Sequence, residues 1–273
     1  MKKILTLNLL IIIFFSSCIT HAYYLSPFNA NADPYHTIPL QSDSIKAATY
    51  TTGVFTAGGA NDGWHDGIYA FQGGIHRSHN FGNFQAYYGA NLSIGAYHVN
   101  EYYRSEHPYY DSITFHIPAT NNFFGAYGFN GGINAVLPFR NGGEWRVIGL
   151  ETSVQKEFGN YLDFRKNLPD SAADIIFRKN VTGTIGLCTD IISRSRHGAE
   201  FGYKMAWGFT LNPQSDYSHT YSQNNVNPIV YFSQTWHLTK GNITGFVQLN
   251  LGSYAGNMQF GMNCKLGKNK ITR

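Results

Sequence analysis

The sequence predicts an all-β fold, one antiparallel transmembrane β-barrel of about ten strands, with eight to twelve compatible with its pattern. Three observations carry this. Runs of residues alternate with period two over lengths that ordinary globular strands, typically about 5–6 residues, do not reach. The two faces of each run differ, one apolar and aromatic, the other built of Gly, Asn, Gln, Ser and a few charges. Short and long connections interleave along the chain, the rhythm of a barrel with tight turns at one end and loops at the other.

Composition agrees. Charged residues are 13% of the 273, against about 25% in soluble domains. Aromatic residues reach 16%, there are 29 glycines, and mean hydropathy is only −0.25. That average excludes a bundle of apolar helices and fits walls with opposite faces.

The chain opens with Lys2 and Lys3, then an apolar stretch from Ile4 to Phe15 broken by Thr6 and Asn8. It is too short to span a bilayer and reads as a signal peptide over 1–17. Cleavage after Ala22, with Thr20 and Ala22 as the small-residue pair, is the alternative. Once Lys2 and Lys3 are removed, 18 basic residues face 16 acidic ones and the net charge falls from +4 to +2. That is no electrostatic footprint for nucleic acid. Residues 18–45, with Pro27, Pro34 and Pro39 and no sustained period, read as a periplasmic tether.

The barrel is expected over 46–267, and a basic tail over 268–273. Weaker runs at 47–58 and 66–78 come first. In Phe84–Tyr97 the set Phe84, Ala86, Tyr88, Ala90, Leu92 and Ile94 alternates with Gln85, Tyr87, Gly89, Asn91, Ser93 and Gly95. Phe123–Leu137 sets Phe123, Tyr127, Phe129, Ile133 and Leu137 against Asn130, Gly132 and Asn134. Runs at 144–157 and 180–193 follow. In Ala199–Leu211 the set Phe201, Tyr203, Met205, Trp207, Phe209 and Leu211 opposes Glu200, Gly202, Lys204, Ala206, Gly208 and Thr210. After 227–239 and 243–254, Met258–Leu266 closes the series with Met258, Phe260, Met262, Cys264 and Leu266 on its apolar face. Connections near 79–82, 138–143, 194–198 and 240–242 are short. Those near 59–65, 98–121, 158–179 and 212–226 are longer, and only the last, near Tyr254, breaks the rhythm.

The polar faces carry a candidate interior core: Glu151 and Gln155 on one strand, Glu200 and Lys204 on another, and Lys265 on the last. In a lumen filled by side chains these should pair, because an unpaired buried charge is costly. The alternative is that they line a narrow solute path. Tyr87, Tyr97, Tyr127, Phe139, Trp145, Tyr203, Trp207 and Trp236 sit near strand ends as candidates for interfacial girdles. Cys188 and Cys264 fall in different strands and read as lone thiols.

Catalytic patterns are weak. An omptin-like protease needs acids and a His at the outer rim, and Asp62, His65, Asp66, His107, Asp111, Asp216 and His219 offer these only by loop position. His76, Ser78 and His79 lack an acid and an oxyanion partner at defined spacing. On a strand His76 and His79 point to opposite faces, so they do not form a metal pair. No metal, cofactor or catalytic residue is expected.

The string Phe15, Ser16, Ser17, Cys18 resembles the lipobox of bacterial lipoproteins, with Phe15 where Leu is preferred. The alternating segments, and a last strand running from Gly261 through Met262, Asn263, Cys264 and Lys265 to Leu266 and Gly267, resemble small Gram-negative outer-membrane β-barrel proteins. In that family the last strand commonly ends in an aromatic residue that guides assembly; here Leu266 takes that place, followed by the basic tail. The resemblance implies an outer-membrane location, with lipid at Cys18 joining the tether to the inner leaflet. It implies membrane lipid as a partner but speaks for architecture and not for activity; a non-enzymatic role in envelope structure or surface interaction is the leading functional expectation. The Tyr-rich loop 101–116 (Tyr102, Tyr103, Tyr109, Tyr110) is the candidate surface for envelope proteins. A narrow channel, an outer-membrane hydrolase and a lipid-tethered lipocalin-like carrier are the rivals. The last would turn the apolar faces inward.

Overall fold

The computed structural model describes residues 22–29, 31–61, 64–105, 113–173, 175–211 and 229–267. The signal region, Cys18, the basic tail, and Asp62, His107, Tyr109, Tyr110, Asp111, Asp216 and His219 lie outside these residues.

The strands are β1 (Tyr23–Tyr24), β2 (Ala47–Ala60), β3 (Asp66–Asn80), β4 (Phe84–Val99), β5 (Tyr102–Ser105), β6 (Ile113–Ile117), β7 (Thr120–Pro138), β8 (Glu144–Phe158), β9 (Ile175–Ile176), β10 (Val181–Arg194), β11 (Glu200–Thr210), β12 (Val230–Lys240), β13 (Ile243–Gly252) and β14 (Ala255–Leu266). Among the described residues, an α-helix, α1 (Asn160–Asn167), and a short 3-10 turn (Asp170–Ala172) lie between β8 and β9. Ten strands close into an antiparallel barrel in the order β2-β3-β4-β7-β8-β10-β11-β12-β13-β14. Closure is made by β14 on β2, from Ala255 opposite Ala60 to Leu266 opposite Thr49. The expected runs fall on these ten strands, with ends that differ by at most three residues. Gly241 lies at the tip of the β12–β13 turn at φ 63° and Gly82 in the β3–β4 turn at φ 84°. Both are backbone states that glycine adopts without steric cost.

The dressing of the wall is the reverse of a soluble protein. Along β11, Phe201, Met205, Trp207 and Phe209 are exposed while Gly202, Lys204, Ala206, Gly208 and Thr210 are buried. Phe129, halfway along β7, is 72% exposed, and its neighbour Asn130 is buried. A lipocalin-like carrier requires the opposite arrangement, so that reading is overturned. Of the girdle residues, Tyr87 and Tyr97 are corrected. They occupy the inward parity of β4 and are buried, whereas Tyr127, Phe139, Trp145, Trp207 and Trp236 face outward.

An exposed apolar belt predicts a depth-dependent penalty for charge. Phe129→Arg is expected to cost about 2–4 kcal/mol of folding free energy in lipid vesicles, and Phe139→Arg, beside a turn, about 0–1. Equal losses in equilibrium folding titrations would argue against a membrane-crossing belt.

Ten strands about 4.8 Å apart, tilted by about 40°, give roughly 20 Å between opposite backbones. Side chains from both walls leave a channel about as wide as one extended chain. That channel is occupied by the protein itself. Residues 22–40, expected within a periplasmic tether, run through the barrel, and Tyr24, Leu25, Asp33, Tyr35, His36, Ile38 and Leu40 are all buried. At the loop end, β1 pairs in parallel with β9, and the Tyr23 amide donates to Asn61 Oδ1 at 2.8 Å. At the turn end, the Gln41 amide donates to Glu144 Oε2 at 2.7 Å and Ser42 to the Gly142 carbonyl at 2.8 Å. The chain then turns back at Lys46 and enters β2. The prolines that suggested a linker hold this strap extended instead.

The loop end carries an apolar lid. Tyr24, Tyr97, Val99, Ile117, Phe124, Tyr161 and Ile176 form one buried cluster there, with Phe28 and Phe164 packed against it. Gly159, at φ 112°, sets the start of α1, and Leu168 with Pro169 ends it. Arg165 of α1 is fully buried. It donates to Glu157 Oε1 at 2.5 Å and to the Phe177 carbonyl at 2.6 Å, and its guanidinium lies 4.9 Å from the Tyr161 ring centre.

Candidate functional site

A strap without regular secondary structure must still place its backbone polar groups. The inward faces of the strands supply the partners. The carbonyl of Asp33 accepts from Gln248 Nε2 at 3.2 Å, and that of Tyr35 from Asn263 Nδ2 at 2.9 Å. Thr37 O receives the Ser78 hydroxyl at 2.8 Å and His76 Nε2 at 3.2 Å. Ile38 O receives Arg146 at 3.1 Å and Pro39 O receives Gln85 at 3.1 Å. The donors come from β13, β14, β3, β8 and β4, so the strap is held by five strands on both sides of the β14–β2 closure.

Charge is concentrated in the turn-side half. The Arg146 guanidinium bonds Glu144 Oε1 at 3.0 Å, Asp190 Oδ2 at 2.9 Å and Gln85 Oε1 at 2.8 Å. Asp190 in turn accepts from His237 Nε2 at 3.1 Å. The His237 ring is stacked on Tyr35 of the strap with 4.0 Å between centres. Gly202 makes this possible, because a Cβ there would sit 2.1 Å from the His237 ring. Above this group Lys204 pairs with Glu151. His36 of the strap lies 3.0 Å from Asp33 Oδ2 and 3.1 Å from the Asn130 amide, its ring packed on His76 and Tyr87.

The structure thus brings Glu151 and Lys204 together in the lumen. Gln155 is buried higher up, lining a cavity of about 30 Å³ with Ser153 and Gln259. Glu200 lies at the turn end instead, bonded at 2.5 Å to Arg194, which also holds Asp43 and so fixes the strap where it leaves the lumen. Lys265, half-buried near the end of β14 opposite Tyr50, is not among them. Sequence reasoning missed Glu144, Arg146, Asp190 and His237. A partial signal was present: Arg146 stands between Trp145 and Val147, and His237 between Trp236 and Leu238.

Of the catalytic candidates within the described residues, Asp66, His76 and Ser78 make structural bonds. Asp66 accepts from Asn61 at 3.1 Å, from the Tyr97 hydroxyl at 3.1 Å and from the Asn100 amide at 2.9 Å, fastening the lid. His76 and Ser78 face the strap, not lipid, while His79 faces outward against Phe81 and Tyr88. Cys188 is buried and Cys264 half-buried, and both are free thiols. Among the described residues no group of three or more His, Cys, Asp or Glu side chains is placed to hold a metal.

In the loop between β4 and β7, Tyr103 is exposed and donates to Glu101 at 2.7 Å; His116 lies 2.9 Å from the same carboxylate. These two hydrogen bonds hold the Glu101 carboxyl below its ordinary pKa range. Tyr102 instead packs against the lid cluster.

No protein-family model matches the chain, and neither does any curated protein. Among solved structures it is similar to the beta domain of the Bordetella autotransporter Brka, at 9% identity over 82% of this chain and 100% of that one, with a TM-score of 0.43. It is also similar to the translocator domain of the autotransporter NalP from Neisseria meningitidis, at 11% identity over 83% and 90% of the two chains and a TM-score of 0.40. For the KdgM porin the values are 10%, 80%, 99% and 0.29.

Proposed function

We propose that this chain is an outer-membrane β-barrel protein with a permanently filled lumen, whose role is non-enzymatic and is exercised at its loop end, in envelope structure or contact with other surface components. The observation that carries the reading is the inverted wall around a threaded strap. Aromatic and aliphatic side chains face outward where only lipid can cover them, and the polar interior is committed to residues 22–40. The strap bonds and the apolar lid argue against an open solute path. The cavities beside the strap are about 30 and 10 Å³, room for no more than a few waters. The exposed Tyr103 with Glu101 and His116 makes the 101–116 loop the contact surface of this reading. Lipidation of Cys18 also belongs to this reading.

The test is reconstitution. Folded protein should show heat-modifiable mobility on gels, partition with outer membranes, and give no stepwise current in planar bilayers. Steady conductance steps from the intact chain would overturn the closed-lumen reading.

A further inference from the structure

The direction of the strap has a topological consequence. Tyr23 is bonded to Asn61, beyond the loop end of β2, and its ring lies 4.5 Å from Tyr254 in the β13–β14 connection. Tyr24 packs edge-on to Phe164 of α1. Sixteen residues later the chain is at the opposite end, where Pro39 meets Gln85 and Leu40 precedes the contact of Gln41 with Glu144. The strap therefore runs from the loop end down to the turn end, and Ala22 lies, fully buried, in the lid cluster.

Resting on the outer-membrane reading above, in which short turns face the periplasm, we infer that the barrel holds its own N-terminal end at the cell exterior. The lumen serves as the holder of an outward-leading strap, and whatever is joined to the chain ahead of Ala22 is presented outside. Cys18 is four residues from Ala22, a reach of at most about 14 Å. The apolar belt is about 25 Å tall. A lipid on Cys18 therefore inserts in the outer leaflet, not the inner one that a periplasmic tether would require.

The seating of the strap argues that this is its resting place. Its carbonyls accept bonds from five strands, Tyr35 is stacked on His237, and Arg194 fixes Asp43 at the exit. Withdrawal toward the periplasm would break all of these and drag Tyr24 and Leu25 through the lumen, replacing their apolar contacts with polar ones.

The experiment is an epitope tag inserted between Ala22 and Tyr23, retained whether processing leaves Cys18 or Tyr23 first. A second strain carries the same tag within 212–228, in a long connection. Both proteins are checked for heat-modifiable mobility, so that only folded barrels are compared. Antibody binding to intact cells at comparable levels in both strains is the expected result. A loop tag seen on intact cells with an N-terminal tag seen only after the outer membrane is permeabilised overturns the inference and leaves the proposed function standing. If neither tag is seen until permeabilisation, the orientation itself is wrong, and the proposed function falls with the inference.

Discussion

Arg146→Ala is expected to be the most damaging single substitution in the lumen, lowering the unfolding free energy by about 3–5 kcal/mol. The side chain is 3% exposed, and its partners Glu144 and Asp190 are 1% and 3% exposed. Removing the guanidinium leaves two buried carboxylates without their cation and withdraws the donor from Ile38 O. Most of that loss comes from the stranded charges, since a buried ion pair gains little over an apolar replacement once desolvation is counted. A second variant separates the two causes. Arg146→Met with Glu144→Gln and Asp190→Asn removes the attraction without stranding a charge, and should recover most of the lost stability. Urea unfolding in detergent micelles, read by loss of heat-modifiable mobility, measures both. A single Arg146→Ala variant as resistant as wild type would show that the cluster does not brace the barrel.

What could be read in advance divides along physical lines. Wall strands are local objects. Parity decides which face of β11 meets lipid, and a run such as Phe201 to Phe209 declares its parity without knowledge of any neighbour. Gly-Asn at 241–242 similarly announces a tight turn. The strap is a different kind of object. Its extended backbone has no period, because its bonds go to residues such as Asn263 and Gln248, more than two hundred positions away in sequence. Only composition hinted at burial: between Ala22 and Leu40 the only residue with a fixed charge is Asp33, amid Tyr24, Leu25, Phe28, Tyr35 and Ile38. A solvated tether has no need of so many apolar groups. For the same reason Lys204 could be assigned to the lumen, yet its partner could not. Glu200, on its own strand, was the nearest acid in sequence, and Glu151 reaches it only through the curvature of the closed wall.

The strap also bears on how the wall closes. Its donors stand on β3, β4 and β8 on one side of the β14–β2 seam and on β13 and β14 on the other. Lys46 leads directly into β2, so the strap bonds link strands on both sides of the seam to the segment that enters it. The lumen is thus shaped for an occupant, which leads to the second large effect. Excising residues 22–40 is expected to turn a silent barrel into a conducting one. The freed donors, Gln85, Ser78, His76, Gln248 and Asn263, are polar and would exchange strap carbonyls for water, so the lumen should hydrate and not collapse. Excision also removes Ala22, Tyr24 and Phe28 from the lid cluster, opening the loop end. Among the described residues, the buried charges left are Arg146, Arg165 and Lys204 against Asp66, Glu144, Glu151, Glu157 and Asp190, two acids in excess. The new pore should therefore prefer cations, and a reversal potential under a KCl gradient reads that sign directly. Replacing 31–40 by a Gly/Ser run of equal length is the companion variant. It keeps a backbone for the same donors while removing Tyr35 and Ile38, and should give smaller or intermittent steps. If the excised barrel keeps its heat-modifiable mobility yet passes no current, the wall alone seals the lumen, and the strap is not what closes it.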